Sequence, residues 1–172
     1  MDPYVLYAMP ASLYSGKARS YLRTHRIEYV ERAPGDPRYS SEIEPVIGRW
    51  IIPVLLAPDG TITQDTVDII DTLDATVAPE RSAYPASAVQ RTVAHLLELF
   101  GGEGLLRPAM HYRWDFDDVN VPFLAMDFSA ALALGDDDAT RESVFALASE
   151  RMRSATAAFG VTEELVAGIE RS

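Results

Sequence analysis

A mixed α/β domain followed by an all-helical one is the fold class predicted by three observations. Residues 1–76 alternate short β-prone runs with helical periodicity, 77–85 carry prolines and no periodicity, and 86–172 show helical spacing alone. We therefore read 1–76 as a first domain, 77–85 as a linker and 86–172 as a helical domain. A chain of 172 residues, 48% apolar and 24% charged, can bury a core and lies outside the compositions of disordered chains.

Tyr4 to Ala8 is a β-prone run ended by Met9-Pro10, and from Ser15 to Thr24 the pattern turns helical, with Ala18, Tyr21 and Leu22 on one side. Ile27 to Val30 reads as a second strand, Ala33 to Pro37 as a loop and Ser41 to Val46 as a brief helix, so a βαβ unit results. Ile51 to Leu56 and Thr61 to Thr63 read as a hairpin around Asp59-Gly60, a pair that supplies the positive φ angles of a tight turn. Asp65 caps the next helix, in which Val67, Ile69, Ile70 and Leu73 are apolar while Asp68, Asp71 and Asp74 face water. Past the linker, Val89, Val93, Leu96, Leu97 and Phe100 recur at helical spacing as a buried stripe, interrupted by Gly101-Gly102 and resumed at Leu105-Leu106. Asp115 to Asp118 reads as a polar loop, and further helices are read at 121–134, 139–159 and 162–170, with Asp136-Asp137-Asp138 a solvated turn that favours the start of a helix.

The formal net charge of −11 repels phosphate backbones and anionic lipid surfaces, so neither nucleic acid nor a membrane is an expected partner. Met1-Asp2-Pro3-Tyr4 lacks the basic patch and apolar run of a signal peptide, and no stretch approaches the ~18 apolar residues of a membrane span, which predicts a cytoplasmic location. There is no cysteine, so disulfides, thiolate metal sites and cycling of protein thiols are excluded. His25, His95 and His111 are scattered, without ligand-like spacing or an evident carboxylate partner, and no metal site is expected.

The stretch Leu6-Tyr7-Ala8-Met9-Pro10-Ala11-Ser12-Leu13-Tyr14-Ser15-Gly16-Lys17-Ala18-Arg19 resembles the first strand, active loop and first helix of the glutathione transferase superfamily. It also resembles the glutaredoxin Cys-Pro-Tyr-Cys loop, with Ser12 and Ser15 standing where the cysteines would be. Ile51-Ile52-Pro53-Val54-Leu55 is similar to the family's strand after a cis-proline turn, and Asp59-Gly60 with Gln64-Asp65-Thr66 is similar to its γ-glutamyl-binding acidic residue plus Ser/Thr. Leu105 to Trp114 resembles a bacterial branch of the family. The resemblance implies a thioredoxin-like α/β domain and a helical domain that is incomplete, because the family continues past Ser172 with further helices. An exposed apolar surface at Val144, Leu147, Met152 and Val166 is then expected. It further implies reduced glutathione as co-substrate without a metal, attack on a small electrophile in detoxification, and a homodimer once the helical domain is full.

For the site, the resemblance implies Ile52, Pro53, Asp65 and Thr66 as glutathione-binding and Ser12, Ser15 and Tyr7, in that order, as hydroxyls facing the sulfur. Each residue suits a tripeptide thiol. An X-Pro bond accepts cis at a difference of only about 0.5–1 kcal/mol, so Pro53 can turn the Ile52 backbone outward, where it pairs like an added strand. The helix beginning at Asp65 and Thr66 favours a carboxylate on its N–H groups while Asp65 faces an ammonium, and the first helix offers a thiolate the same kind of anion site. Plain capping remains open for Asp65-Thr66, Ser12 and Ser15, as does packing rather than an electrophile pocket for His111-Tyr112-Arg113-Trp114. A noncatalytic binding or scaffolding module of the same fold is the rival function, and a thiol oxidoreductase is contradicted by the lack of cysteine.

Overall fold

The computed structural model describes every residue except Met1, Ala78, Leu134, Asp136 and Ser172. The chain divides into two compact units, Met1–Ala83 with Asp127–Arg141, and Tyr84–Met126 with Glu142–Ser172. The first unit is built on a four-stranded mixed sheet in the order β2-β1-β3-β4. Strand β1 (Tyr4–Tyr7) pairs parallel to β2 (Tyr29–Arg32) and antiparallel to β3 (Val54–Leu56), which pairs antiparallel to β4 (Ile62–Gln64). Helix α1 (Leu13–Thr24) follows β1, a π-turn (Tyr39–Ile43) leads into the short α2 (Glu44–Ile47), and α3 (Thr66–Thr76) follows β4.

β2 begins two residues later than the sequence predicts, because α1 ends in a Schellman motif that takes Ile27. Arg26 occupies the left-handed region at φ 57°, its N–H donates to the Arg23 carbonyl at 3.1 Å and the Ile27 N–H to that of Leu22 at 2.9 Å. The hairpin differs as well. Only Gly60 has a positive φ (87°), the Ala57 N–H closes the loop on the Thr61 carbonyl, and Asp59 Oδ1 accepts from the Thr61 N–H at 2.9 Å.

Asp74, expected to face water, is buried. Its Oδ1 accepts from the Tyr21 hydroxyl at 3.0 Å and the Ala83 N–H at 2.6 Å, and Oδ2 accepts from Ser82 Oγ. Burial pushes this carboxyl up, but the hydrogen bonds overcome it and hold it below the ordinary carboxylate range. His25 works beside it, stacked on the Tyr21 ring with Nδ1 on the Tyr21 carbonyl and Nε2 on that of Arg81. Much of the segment read as a linker is therefore fastened to the first unit.

α6 (Asp117–Leu132) starts before the predicted Val121, its first turn carrying Asp117 and Asp118 and its interior Pro122; the predicted last residue, Leu134, lies outside the described residues, as does Asp136 of the predicted turn. The late part of α6 belongs to the first unit, where the Ala131 carbonyl accepts from the Gly35 N–H at 2.7 Å. A Cβ on Gly35 would lie 2.6 Å from that carbonyl oxygen and 3.1 Å from the one of Leu132. Both are backbone atoms that cannot swing aside, so Gly35→Ala is expected to lose about 1–3 kcal/mol by overpacking. An unchanged denaturation midpoint would mean that this end of α6 yields.

In the second unit, α4 (Ala88–Leu99) runs through a π-turn (Phe100–Gly104) into α5 (Leu106–Trp114), and α7 (Asp138–Thr156) and α8 (Glu163–Ile169) follow α6. The stripe predicted to be buried on α4 is not: Val89 is 75% and Leu97 65% exposed, with Val93, Leu96 and Phe100 also at the surface. Periodicity groups side chains on one face without supplying what covers it. Leu147 and Met152 are exposed, and Val144 and Val166 half-buried. Among the described residues, no helix is long and apolar enough to cross a membrane.

Candidate functional site

The register of the sheet gathers three loops at one end. Tyr7 aligns with Val54 and Val54 with Gln64, so the chain leaving β1 (Ala8–Ser12), the chain entering β3 (Ile51–Pro53) and the chain leaving β4 (Asp65–Thr66) emerge side by side. The Thr66 hydroxyl donates to the Tyr14 carbonyl at 3.0 Å and ties the start of α3 to the first turn of α1.

Ser12 is the N-cap of α1, with extended backbone and its Oγ accepting from the Ser15 N–H at 3.2 Å. It is half-buried, and a hydroxyl that accepts one hydrogen bond still has its own proton to donate. Ser15 sits beneath it, fully buried, its Oγ accepting from the Met9 N–H at 3.4 Å. Tyr7 is not part of this group. Its ring packs in the core with Ile43, Val54 and Tyr39, the latter edge-on at 5.3 Å, and burial raises the phenol pKa. Both faces of the strand end are buried here, Leu6 on one and Tyr7 on the other.

The Ile52-Pro53 bond is cis, as the resemblance implies. Ile52 is half-buried and Pro53 buried. Tyr39, which sequence reasoning missed, fixes the approach to this bond: its hydroxyl donates to the Ile51 carbonyl and accepts the Ile51 N–H, the latter at 3.1 Å. Asp65 caps α3 by accepting from the Val67 N–H at 2.9 Å while its own backbone stands at φ 69° and ψ 142°, a region unusual for a residue with a Cβ. Asp65 is exposed and Thr66 buried, and Arg49 Nε donates to Gln64 Oε1 at 3.0 Å beside them. A side-chain cap is thus present at both helix starts.

In the second unit, His111 has the carboxylate partners that its sequence neighbourhood did not reveal. Its imidazole is buried, with Nδ1 2.6 Å from Asp115 Oδ2 and Nε2 3.2 Å from Glu170 Oε1, against the rings of Tyr112 and Phe116. Trp114 is buried too, with the Arg153 guanidinium 5.1 Å from its ring centroid, while Tyr112, between His111 and Trp114, is exposed. Among the described residues, no group of three or more His, Cys, Asp or Glu could hold a metal ion.

A four-stranded mixed sheet of this order, with a cis-proline entering β3 and a capped helix leaving β4, defines the thioredoxin-like class. Residues 6–81 match the family described as the glutathione S-transferase N-terminal domain. Residues 6–81 are accordingly similar to the N-terminal domain of the glutathione S-transferase family, and helices follow them. Among solved structures, a glutathione S-transferase from Rhodospirillum rubrum F11 is 24% identical with a TM-score of 0.52, the match covering 69% of this chain and 54% of that one. A glutathione transferase homolog from Sulfitobacter, with bound glutathione, is 18% identical at a TM-score of 0.50, covering 96% and 72%. A glutathione S-transferase from Methylobacillus flagellatus, with glutathione bound, is 19% identical at 0.51, covering 87% and 68%. This chain thus spans about half the length of the Rhodospirillum protein. Among curated proteins there is no significant match.

Proposed function

We propose that the chain binds reduced glutathione at the end of the sheet where the three loops meet and activates its thiol for attack on a small electrophile. The observation that carries this reading is the shared register of Tyr7, Val54 and Gln64, which sets the cis-proline segment, the Asp65 cap and the Ser12 cap side by side. The half-buried Ile52 backbone is the proposed partner of the cysteinyl residue, Pro53 its support, and Asp65 with the start of α3 the seat of the γ-glutamyl end. Thr66 enters through its backbone N–H, since its hydroxyl serves Tyr14. Ser12 is the proposed sulfur contact, with Ser15 supporting the loop from below. The glutathione in the Sulfitobacter and Methylobacillus structures supports the same reading. We take residues 1–76 as the glutathione domain, 77–85 as its connection and 86–172 as the helical part that serves the electrophile, in a cytoplasmic, homodimeric detoxification enzyme.

A ligand at 100 times its dissociation constant stabilises a protein by about 2.7 kcal/mol, so saturating reduced glutathione is expected to raise the melting temperature clearly. Absence of any shift would sink the proposal. Asp65→Ala should weaken glutathione binding in calorimetry while the variant stays folded, and unchanged affinity would remove Asp65 from the site. The engagement of Ser12 as a cap favours a second reading, a binding module without turnover, which glutathione binding without reaction toward any model electrophile would support.

A further inference from the structure

Asp127 is the only charged side chain between Asp118 and Asp136, and the fold buries it to 5% exposure on the part of α6 that belongs to the first unit. An ionised carboxylate is not kept in such a place without hydrogen bonds that answer its charge. Its Oδ2 accepts from the Ala11 N–H at 2.8 Å, in the middle of the loop that carries Ser12. At the start of the loop the Ala8 N–H donates to the Arg32 carbonyl of β2 at 3.0 Å, and further on the contacts turn inward to the loop and α1. The Met9 carbonyl accepts from the Ser12 N–H at 3.2 Å and from Arg19 at 3.4 Å, the Met9 N–H reaches Ser15, and Pro10 has no N–H. Arg19 is held protonated first by Glu31, and Asp127 is among the anions that add to this.

Building on the glutathione reading above, we propose that Asp127 is a positioning residue for the thiol-activating loop: from α6 it holds the Ala11 N–H and so fixes where the adjoining Ser12 hydroxyl points. The hydrogen bond and the charge act in opposite directions. The bond orders the loop, whereas a buried anion so close to Ser12 disfavours a thiolate there. It also withdraws the Ala11 amide from the sulfur, leaving Ser12 and the first turn of α1 as the anion site.

Asp127→Asn and Asp127→Ala separate the two effects, because the amide oxygen of Asn still accepts from Ala11 while carrying no charge. Asp127→Ala is expected to lower kcat by about tenfold or more, with KM for glutathione within about threefold, since misplacing a reacting group costs rate more than affinity. Asp127→Asn should keep kcat within about threefold and lower the pKa of the bound thiol. Hydrogen exchange at the Ala11 amide should accelerate in Asp127→Ala and stay near wild type in Asp127→Asn, with or without glutathione. Wild-type kcat in folded Asp127→Ala, or equal losses of kcat in both variants, would overturn the proposal. A wild type that does not turn over would refute the proposed function, and Ala11 exchange would then decide alone whether Asp127 holds the loop.

Discussion

Ser12→Ala is expected to raise the pKa of bound glutathione and to lower kcat/KM toward a model electrophile by about ten- to a thousandfold, with a far smaller change in glutathione affinity. The Ser12 hydroxyl accepts from the Ser15 N–H and keeps its own proton, which on the proposed reading is donated to the sulfur. A hydrogen bond from a neutral donor to a thiolate is charge-assisted, so its removal falls on the ionised form. Because Ser12 also caps α1, the same substitution costs about 1 kcal/mol of stability. Ser12→Asp separates the roles: it retains the cap but sets an anion against the thiolate, and it should lose activity without losing the helix. Thiolate absorbance against pH for these variants, for Ser15→Ala and for Tyr7→Phe is the measurement. A shift confined to Tyr7→Phe would return the role to a ring now found in the core.

The second large effect is a pH dependence centred on His111. Carboxylates only accept, so the two hydrogen bonds to Asp115 and Glu170 require both ring nitrogens of His111 to carry protons. Burial pulls the imidazolium pKa down, but the hydrogen bonds and charges of the two carboxylates outweigh it and the pKa is raised. A group with a raised folded pKa contributes its full stability below the unfolded value of about 6.5 and loses it as pH climbs through the folded value. Wild type should therefore exceed His111→Gln by about 1–3 kcal/mol near pH 6, and the difference should shrink toward pH 9. Loss of the proton leaves a ring lone pair facing one carboxylate, and the longer Glu170 contact, which joins α5 to the end of α8, is the one expected to open. Urea denaturation across this range tests it, and a difference that grew with pH would mean that the ring is neutral in the folded state.

The order of strands and helices was legible because Pro10, Gly35, Pro53 and Gly60 punctuate the runs, and the cis bond at Pro53 and the caps at Ser12 and Asp65 were legible as local chemistry. What was not legible depends on pairing at a distance. Asp74 looked like one acid among several on a polar face until Tyr21, Ser82 and Ala83 closed on it. His111 finds Glu170 across 59 positions, and no local pattern announces such a partner. Tyr39 gave no signal of its hold on Ile51. Asp127 did give one, a lone charge in an apolar run, and it is the kind of signal a reading based on helical faces passes over. The α4 stripe shows the reverse case, a correct pattern of side chains with the wrong environment attached to it.

The backbone of Asp65 sets two kinds of selection against each other. At φ 69° and ψ 142° its Cβ is crowded, a conformation that costs about 1–3 kcal/mol and that glycine enters without strain. A library sorted only for resistance to heat would therefore enrich glycine at this position, despite the loss of the cap. On the proposed reading, a library sorted for retention on immobilised glutathione would keep the carboxylate. Carrying one population through both regimes in turn would make position 65 alternate, and the frequency of aspartate there would record which pressure the lineage had last met.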